Sequence, residues 1–291
     1  MRVWVAAARP RTLPAAIAPV LVGSGLAAHD GVYRNDAFLL ALVGALAIQV
    51  AANFANDVSD AGRGADTADR VGPTRMVATG RISPQAMWTA VAASVAAAAA
   101  AGAGLIAIAG WPIIVIGLAS ILAMLTYVGG PLPYGYRALG EVFVFVFFGL
   151  VATVGTRFAH GGSTPGFDAW VLGTVMGALA AAILVANNVR DLDTDARAGK
   201  RTLAVVMGRD RSRRLYAWLV YGSLVVIGAA GLFRATPVLT ALAALWAPFA
   251  VRPVSVLATT DDPGRLISVL GATARLQLLV GATIGMAAAF S

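Results

Sequence analysis

The sequence has no cysteine and few charged residues, and each scarcity excludes a class of protein. Without cysteine there can be no disulfide, no thiolate nucleophile and no cysteine-ligated zinc or iron–sulfur centre. Charged residues make up 12% of the 291 residues, against roughly 25% in soluble domains, and hydrophobic residues make up 59%. This composition excludes a water-soluble globule and a disordered or collagen-like chain, and it indicates a polytopic membrane protein.

Apolar stretches near the roughly 20 residues that a membrane-spanning helix needs recur along the chain. They cover nine segments, namely residues 12–29, 36–55, 86–110, 111–128, 138–158, 168–188, 212–233, 236–257 and 266–290. The first segment is short and is interrupted by Pro14 and Pro19. We therefore expect an all-α, polytopic membrane helix bundle of nine transmembrane helices, forming one integral-membrane domain over residues 1–291.

Basic residues predict the orientation of the chain, because they collect in cytoplasmic loops of membrane proteins. With the N-terminus inside, seventeen of the 22 basic residues fall on the cytoplasmic side, and only Arg34, Arg157 and Arg234 fall outside. The C-terminus is then outside the cell membrane. Topology also explains the net charge of +8, so we expect no nucleic-acid partner.

Half of the 14 acidic residues lie in two clusters, each at the predicted cytoplasmic end of a helix. In the first cluster Asn53, Asn56, Asp57 and Asp60 fall at i, i+3, i+4 and i+7, which is one stripe of a helix. The second cluster repeats this order 134 residues later, which suggests a duplicated helix-and-loop unit.

In the second cluster Asn187, Asp191 and Asp195 share one helix face, with Asn188 beside it. A single aspartate at a membrane interface is usually just solvated, but two packed stripes of carboxylates would repel each other without a cation between them. Ligand sets made only of oxygen favour Mg²⁺ or Ca²⁺, and Mg²⁺ takes one or two carboxylates together with substrate phosphates. The candidate catalytic metal ligands are Asn56, Asp57, Asp60, Asp191 and Asp195.

Basic residues follow each cluster, which suits a diphosphate held by metal on one side and by cations on the other. Arg70 and Arg75 follow the first cluster, and Lys200 and Arg201 follow the second. For the arginines between 209 and 214 we favour topology control alone.

A third segment on the same face, residues 127–137, contains Tyr127, Tyr134, Tyr136 and Arg137 among glycines and prolines. Glu141, the only glutamate, lies one turn into the next helix, and an ionisable residue at that depth is a functional candidate. The alternative for Glu141 is a cap or an ion pair with Arg137. The phenylalanines that follow either face lipid or line an apolar tunnel.

These motifs resemble a known family. Asn56-Asp57-x-x-Asp60 and Asp191-x-x-x-Asp195 resemble the two aspartate-rich motifs of UbiA-type intramembrane prenyltransferases. The closer similarity is to the 1,4-dihydroxy-2-naphthoate polyprenyltransferases of menaquinone biosynthesis. It is carried by residues 53–75, 127–141 and 187–203, together with the start Arg9-Pro10-Arg11-Thr12. One departure is Gly64, where the wider superfamily has its last motif aspartate, and Asp66 is the candidate replacement ligand.

The resemblance implies a nine-helix bundle whose cavity opens to lipid, with Mg²⁺ between the motifs holding a polyprenyl diphosphate. The ring carbon of dihydroxynaphthoate would attack the allylic carbon, and loss of CO₂ and diphosphate would give demethylmenaquinone. Arg70, Arg75, Lys200 and Arg201 would bind the diphosphate. The expected acceptor-binding residues are Asn53, Tyr127, Tyr134, Arg137 and Asn188.

Two other functions stay open at this point. A prenyltransferase of the same type with another acceptor, such as 4-hydroxybenzoate or a haem precursor, is opposed only by the loop motifs. A cation-coupled transporter would place its acids near the midplane on broken helices, whereas here they lie at cytoplasmic helix ends. A purely structural membrane protein would need neither acidic stripe.

Overall fold

In a computed structural model, which describes residues 2–63, 72, 75–130 and 133–291, the regular elements are all helices. They are α1 Arg2–Ala8, α2 Pro14–His29, α3 Asn35–Gly62, α4 Pro84–Ala109, α5 Pro112–Val128, α6 Gly140–Ala159, α7 Phe167–Arg190, α8 Leu192–Arg197, α9 Leu203–Met207, α10 Arg209–Leu232, α11 Val238–Thr259 and α12 Pro263–Ala289. Short 3₁₀ turns at Pro10–Thr12 and Tyr134–Tyr136 connect neighbouring helices. The all-α membrane bundle predicted from composition is confirmed.

The number of membrane spans differs from the expected nine. In the described ranges seven helices are long and apolar enough to cross a membrane, and an eighth span results if α1 and α2 count as one segment bent by 54°. The remaining predicted stretch forms α5, which has only 17 residues. Each predicted stretch is helical, so the protein is a multi-pass membrane protein, but the count of nine spans is not confirmed.

Helix α7 is the central helix of the bundle. In its apolar window 72% of the residues are buried within the protein, whereas the other six long helices have 22% to 44% buried. Helix α6 approaches α7 closely at a pair of glycines, Gly149 on α6 and Gly177 on α7, where a Cβ atom on either residue would clash with backbone. Small residues allow such close helix contacts in membranes. The second aspartate cluster therefore follows the best-packed helix of the molecule.

A π-helical turn, Val146–Val151, interrupts α6 at the level of this contact. Such turns add a residue to the helix and often lie at functional sites. Here Phe147, Phe148 and Val151 from this turn line the main cavity of the protein. Aromatic side chains of α6 thus form a cavity wall, the second of the two alternatives that the sequence left open.

Candidate active site

One cavity of about 600 Å³ runs between the helices and joins the two aspartate clusters. Its polar end is lined by Asn56, Asp60, Arg75, Asn187, Arg190, Asp191 and Lys200. Most of the remaining wall is apolar and continues past the aromatic side chains of α6 to Gly117 and Ala159. The cavity therefore combines a charged end with a long, mostly apolar wall.

Asp60 ends the first stripe and is buried at the charged end of the cavity. One carboxylate oxygen accepts a 2.7 Å hydrogen bond from the Arg75 guanidinium, and the other accepts a 2.8 Å bond from the Tyr136 hydroxyl. The Lys200 ammonium lies 3.9 Å from the same carboxylate. Asp60 therefore has cationic neighbours from both the segment after α3 and the segment after α8.

Asp191 caps the C-terminus of α7 and meets the neighbouring Arg190 in a bidentate pair. The Nε and terminal nitrogens of Arg190 donate to the two carboxylate oxygens at 2.7 and 2.5 Å, and Arg190 also donates to Asn187 at 2.9 Å. Lys200 lies 3.9 Å from Asp195 as well as from Asp60. One lysine thus brings the two predicted clusters together.

The tyrosine segment closes this end of the site. The backbone N–H of Arg201 donates to the Tyr136 carbonyl at 3.2 Å, and the Lys200 ammonium lies 4.8 Å from the centre of the Tyr136 ring. Burial and the neighbouring Asp60 carboxylate raise the pKa of Tyr136, so its hydroxyl stays protonated and donates to Asp60. Tyr134 stacks on Phe143, with ring centres 3.9 Å apart.

Asp57 faces a different set of partners. Its two oxygens accept hydrogen bonds from the backbone N–H groups of Met76 and Val77, at 3.0 and 2.9 Å. Asp57 is 1% exposed and does not line the cavity. The carboxylate thereby fixes the turn that begins at Arg75, which is the partner of Asp60.

Polar side chains earlier on α3 hold the N-terminal segment against the cavity. The Asn53 amide donates to the Ala8 carbonyl at 2.9 Å and to the Thr12 hydroxyl at 3.0 Å, and Gln49 donates to the same hydroxyl at 3.0 Å. Both side chains line the cavity, as does Arg9 between the two anchored residues. The bend between α1 and α2 is therefore part of the site.

Glu141 pairs with a residue of α7. One of its carboxylate oxygens accepts a 2.8 Å hydrogen bond from the Asn188 amide, and Glu141 is 6% exposed. The other oxygen is buried without a hydrogen-bond partner. Among the described residues Glu141 forms no ion pair with Arg137, the alternative considered for it, and Arg137 is exposed.

Comparison with known proteins agrees with this arrangement. The UbiA prenyltransferase family matches residues 16–287. The chain belongs to the UbiA prenyltransferase family.

Two curated relatives of this UbiA-family chain are named 1,4-dihydroxy-2-naphthoate octaprenyltransferase. The protein from Mycobacterium tuberculosis is 42% identical over 99% of this chain and 97% of its own length. The protein from Escherichia coli is 36% identical over 95% of this chain and 91% of its own length.

Solved structures of UbiA homologues share the fold. One from Archaeoglobus fulgidus, bound to DMAPP and Mg²⁺, has a TM-score of 0.68 at 16% identity and covers 97% of this chain and 98% of its own. An apo structure from Aeropyrum pernix K1 has a TM-score of 0.71 at 17% identity, covering 93% of this chain and 96% of its own. At this identity the likeness establishes the fold alone.

The structure brings nine of the residues predicted for this UbiA-family site to the wall of one cavity, and their roles stay predictions. Those that line the cavity are Asn53, Asn56, Asp60, Arg75, Tyr127, Tyr134, Asn188, Asp191 and Lys200. Asp195 contacts the site through Lys200, and Asp57 lies behind it. Arg137 and Arg201 are exposed and are not part of the cavity wall, while Asp66 and Arg70 lie outside the described residues.

Sequence reasoning missed several contributors, among them Tyr136, Arg190, Gln49, Arg9 and Arg11. Tyr136 had been noticed in its loop, and its contact with Asp60 joins residues 76 positions apart, which no local pattern reveals. Arg190 directly precedes a motif aspartate, and Gln49 lies one helical turn before Asn53. Both positions continue the polar stripes, and that continuation was the available signal.

The oxygen donors of the site fit a magnesium ion. The Asn56 side-chain oxygen is buried without a hydrogen-bond partner, and both Asn56 and Asp60 line the cavity. Among the described residues no three acidic, histidine or cysteine side chains form a cluster that would hold a metal on their own. Mg²⁺ needs no such cluster, because it takes one or two carboxylates and completes its shell with water and phosphate.

Proposed function

We propose that this protein transfers a polyprenyl group from polyprenyl diphosphate to 1,4-dihydroxy-2-naphthoate, with release of CO₂ and diphosphate, in menaquinone biosynthesis. The observation that carries the proposal is one cavity whose charged end contains Asp60, Asp191 and Lys200 and whose remaining wall is mostly apolar. A donor with an anionic head and a long hydrocarbon tail matches both parts. The names of the relatives support this acceptor over other aromatic acids.

Asn56, Asp60, Asp191 and Asp195 are the residues we propose to hold Mg²⁺. When bound, the ion would neutralise charge on the diphosphate as it leaves. Two further residues stay predictions as Mg²⁺ ligands. They are Asp66 and Asp57, and the oxygens of Asp57 accept backbone hydrogen bonds. Arg75, Lys200 and Arg190 line the same cavity and would exchange some of their carboxylate contacts for phosphate oxygens. Arg70 and Arg201 also stay predictions for diphosphate binding.

The reaction follows from what these residues do to the donor. The allylic C–O bond breaks, and its electron pair leaves on the diphosphate, which the cations stabilise. Positive charge develops on the allylic carbon, where the faces of Tyr127, Tyr134 and Phe143 offer cation–π stabilisation. The acceptor ring carbon forms the new C–C bond, and the carboxylate leaves as CO₂ and returns its electron pair to the ring. The product is the reduced form of demethylmenaquinone.

Water must be kept away from this carbon, because hydrolysis would compete with transfer. The apolar wall formed by Phe147, Phe148 and Val151 serves this purpose and accommodates the prenyl chain. We propose that the N-terminus and the charged end of the cavity lie on the cytoplasmic side and that the C-terminus lies outside. In this orientation the soluble acceptor enters from the cytoplasm and the donor enters from the lipid.

An assay with a panel of acceptors tests the proposal. Purified protein in lipid vesicles is given labelled polyprenyl diphosphate, Mg²⁺ and either dihydroxynaphthoate, 4-hydroxybenzoate or no acceptor, and products are identified by mass. We expect prenylated naphthohydroquinone from the first acceptor, and loss of turnover with EDTA that Mg²⁺ restores. Preferential transfer to 4-hydroxybenzoate, or full turnover after exhaustive chelation, would contradict the proposal.

A further inference from the structure

The wall of the cavity contains a carboxylate–amide pair whose carboxylate belongs to neither aspartate cluster. The Asn188 amide nitrogen on α7 donates to one oxygen of Glu141 on α6 at 2.8 Å. Both residues are 6% exposed, and Asn188 lines the cavity. The second Glu141 oxygen is buried without a hydrogen-bond partner. A buried acceptor without a partner costs stability, so packing alone does not explain this pair.

Close helix contacts fix the position of Glu141. The residue before it, Gly140, begins α6 where α5, α6 and α7 meet. A Cβ atom on Gly140 would lie 3.2 Å from the Leu184 side chain of α7 and 3.4 Å from the Tyr127 ring of α5. Leu184 and Asn188 are four residues apart and share one face of α7. The backbone that carries Glu141 is therefore held against the helix that carries Asn188.

The Glu141 carboxylate determines how the Asn188 amide is turned. A carboxylate accepts hydrogen bonds, and only the nitrogen end of an amide donates them. Asn188 therefore directs its nitrogen to Glu141, and its side-chain oxygen remains for another donor. Among the described residues no donor is hydrogen-bonded to that oxygen. Because Asn188 lines the cavity, the oxygen is available to a donor group on a bound molecule.

The position of Asn188 along α7 matches the place of the acceptor ring. Asn188 precedes Asp191 of the charged end by three residues, which is about 4.5 Å along the helix axis. The allylic carbon is bonded to the diphosphate, so the acceptor ring has to lie close to this end. The hydrocarbon part of the prenyl donor has no hydrogen-bond donor, whereas dihydroxynaphthoate has two hydroxyl groups. A ring hydroxyl is therefore the group that suits the Asn188 oxygen.

We propose that Asn188 accepts a hydrogen bond from a hydroxyl of the acceptor ring and that Glu141 is the positioning residue that holds the amide for this contact. This inference rests on the proposed function, because that function supplies an acceptor with ring hydroxyls. The hydroxyl at position 1 of dihydroxynaphthoate is next to the carboxylate and donates to it within the molecule. The hydroxyl at position 4 has no such internal partner, and it is the one that reaches Asn188.

Two naphthoates isolate this hydroxyl in the test. The probes, 4-hydroxy-2-naphthoate and 2-naphthoate, differ only in the hydroxyl at position 4, and each competes with dihydroxynaphthoate as an inhibitor. The wild type should bind the hydroxylated acid about 3- to 10-fold more tightly, which corresponds to one neutral hydrogen bond. Asn188→Ala should lose this preference. Should Asn188→Ala be poorly folded, Asn188→Leu, which is closer in volume, provides the same comparison.

Variants of Glu141 separate positioning from a structural role. Glu141→Leu fills a similar volume with apolar atoms and should lose the preference although Asn188 is still present, and Glu141→Ala replaces it if the leucine variant is poorly folded. Glu141→Gln keeps an oxygen that accepts from the Asn188 amide, and should retain most of the preference. Glu141→Leu combined with Asn188→Ala should lose no more than Asn188→Ala alone, because Glu141 acts through Asn188.

Substrate kinetics give a second measurement on the same variants. Asn188→Ala and Glu141→Leu should each raise the KM for dihydroxynaphthoate by about 3- to 10-fold and leave the donor KM within about twofold. Asp210→Ala is the matched control, because Asp210 is exposed on α10 and does not line the cavity. It should leave both constants and the inhibitor preference unchanged.

Wild-type turnover of dihydroxynaphthoate is measured first, and its absence would contradict the proposed function and this inference together. With normal wild-type turnover, an unchanged inhibitor preference in Asn188→Ala or in Glu141→Leu would overturn the inference alone. An equal rise of both KM values would also overturn it, because it would show a general distortion of the cavity.

Discussion

Three aspartates of similar sequence context have different surroundings, and at the scale of single residues this separates their roles. Asp60 and Asp191 line the cavity and contact cationic side chains, whereas Asp57 accepts two backbone hydrogen bonds behind it. Side-chain cations can move to a phosphate when the donor binds. Backbone N–H groups in a turn cannot move without disrupting that turn.

Asn substitutions should therefore separate stability from catalysis. Asp57→Asn places an amide N–H or a weaker acceptor against the Met76 and Val77 N–H groups, and should lower the free energy of unfolding by about 1 to 3 kcal/mol. Asp60→Asn should keep the fold and lower the rate by at least ~100-fold. Thermal unfolding in detergent and steady-state rates measure the two effects. Equal melting temperatures for both variants would contradict this division.

The Glu141–Asn188 contact predicts a second pair of related variants. Removing the carboxylate in Glu141→Ala frees the Asn188 amide to rotate within the cavity wall, so Glu141→Ala and Asn188→Ala should change the kinetic constants in the same way. Arg137→Ala should resemble neither, because Arg137 is exposed. Steady-state kinetics with each substrate varied in turn make the comparison. A close match between Arg137→Ala and Glu141→Ala would restore the ion pair first considered from sequence.

At the scale of helices, the site depends on how closely α6 and α7 approach each other. A Cβ atom on Gly177 would lie 2.5 Å from the Phe145 carbonyl oxygen, while nothing lies within 4 Å of a Cβ atom on Gly222 of α10. The first glycine is required by packing and the second is not.

Alanine at these two positions should have opposite effects. Gly177→Ala should destabilise the protein by about 1 to 3 kcal/mol through overpacking and displace the aromatic wall of the cavity. Gly222→Ala should be neutral or stabilise by up to ~1 kcal/mol, because alanine favours helix. Melting temperatures of the two variants in one detergent provide the test. A similar change in melting temperature for both variants would contradict this account, because helix propensity favours alanine at both positions and only the contacts differ.

Helices and motifs could be predicted from sequence because both are periodic and local. The stripe ending in Asp60 and the cluster around Asp191 were recognisable by helical spacing, and their resemblance to one family was specific. Contacts between distant segments were not predictable in this way. Arg137 was assigned to the acceptor because it follows the tyrosines, but the 3₁₀ turn before it leaves it exposed, whereas Arg9 reaches the cavity through a strained bend.

The number of membrane spans is a second feature that the sequence pattern could not predict. Hydropathy found every apolar stretch, but Pro14 begins α2 after a bend of 54°, and α5 has 17 residues. A hydropathy window of fixed length detects neither the bend before α2 nor the shortness of α5.

For the whole molecule, the orientation predicted from basic residues can be tested directly, since the chain has no native cysteine. Ala196→Cys on α8 and Thr164→Cys between α6 and α7 replace exposed residues at opposite predicted faces. An impermeant thiol reagent should label Ala196→Cys only from the cytoplasmic side and Thr164→Cys only from outside. Labelling of both from one side would refute the orientation.

The central claim is that both aspartate clusters act on one diphosphate in one site, and a double-mutant cycle on the transfer rate tests it most directly. Asp60→Asn, Asp191→Asn and the double variant are compared in vesicles at saturating donor and Mg²⁺, with correct insertion checked by the same labelling. Groups that act as a unit are strongly non-additive. The double variant should therefore lose little more activity than either single variant. Independent effects that multiply in the double variant, or near-native rates in the single variants, would contradict a shared site.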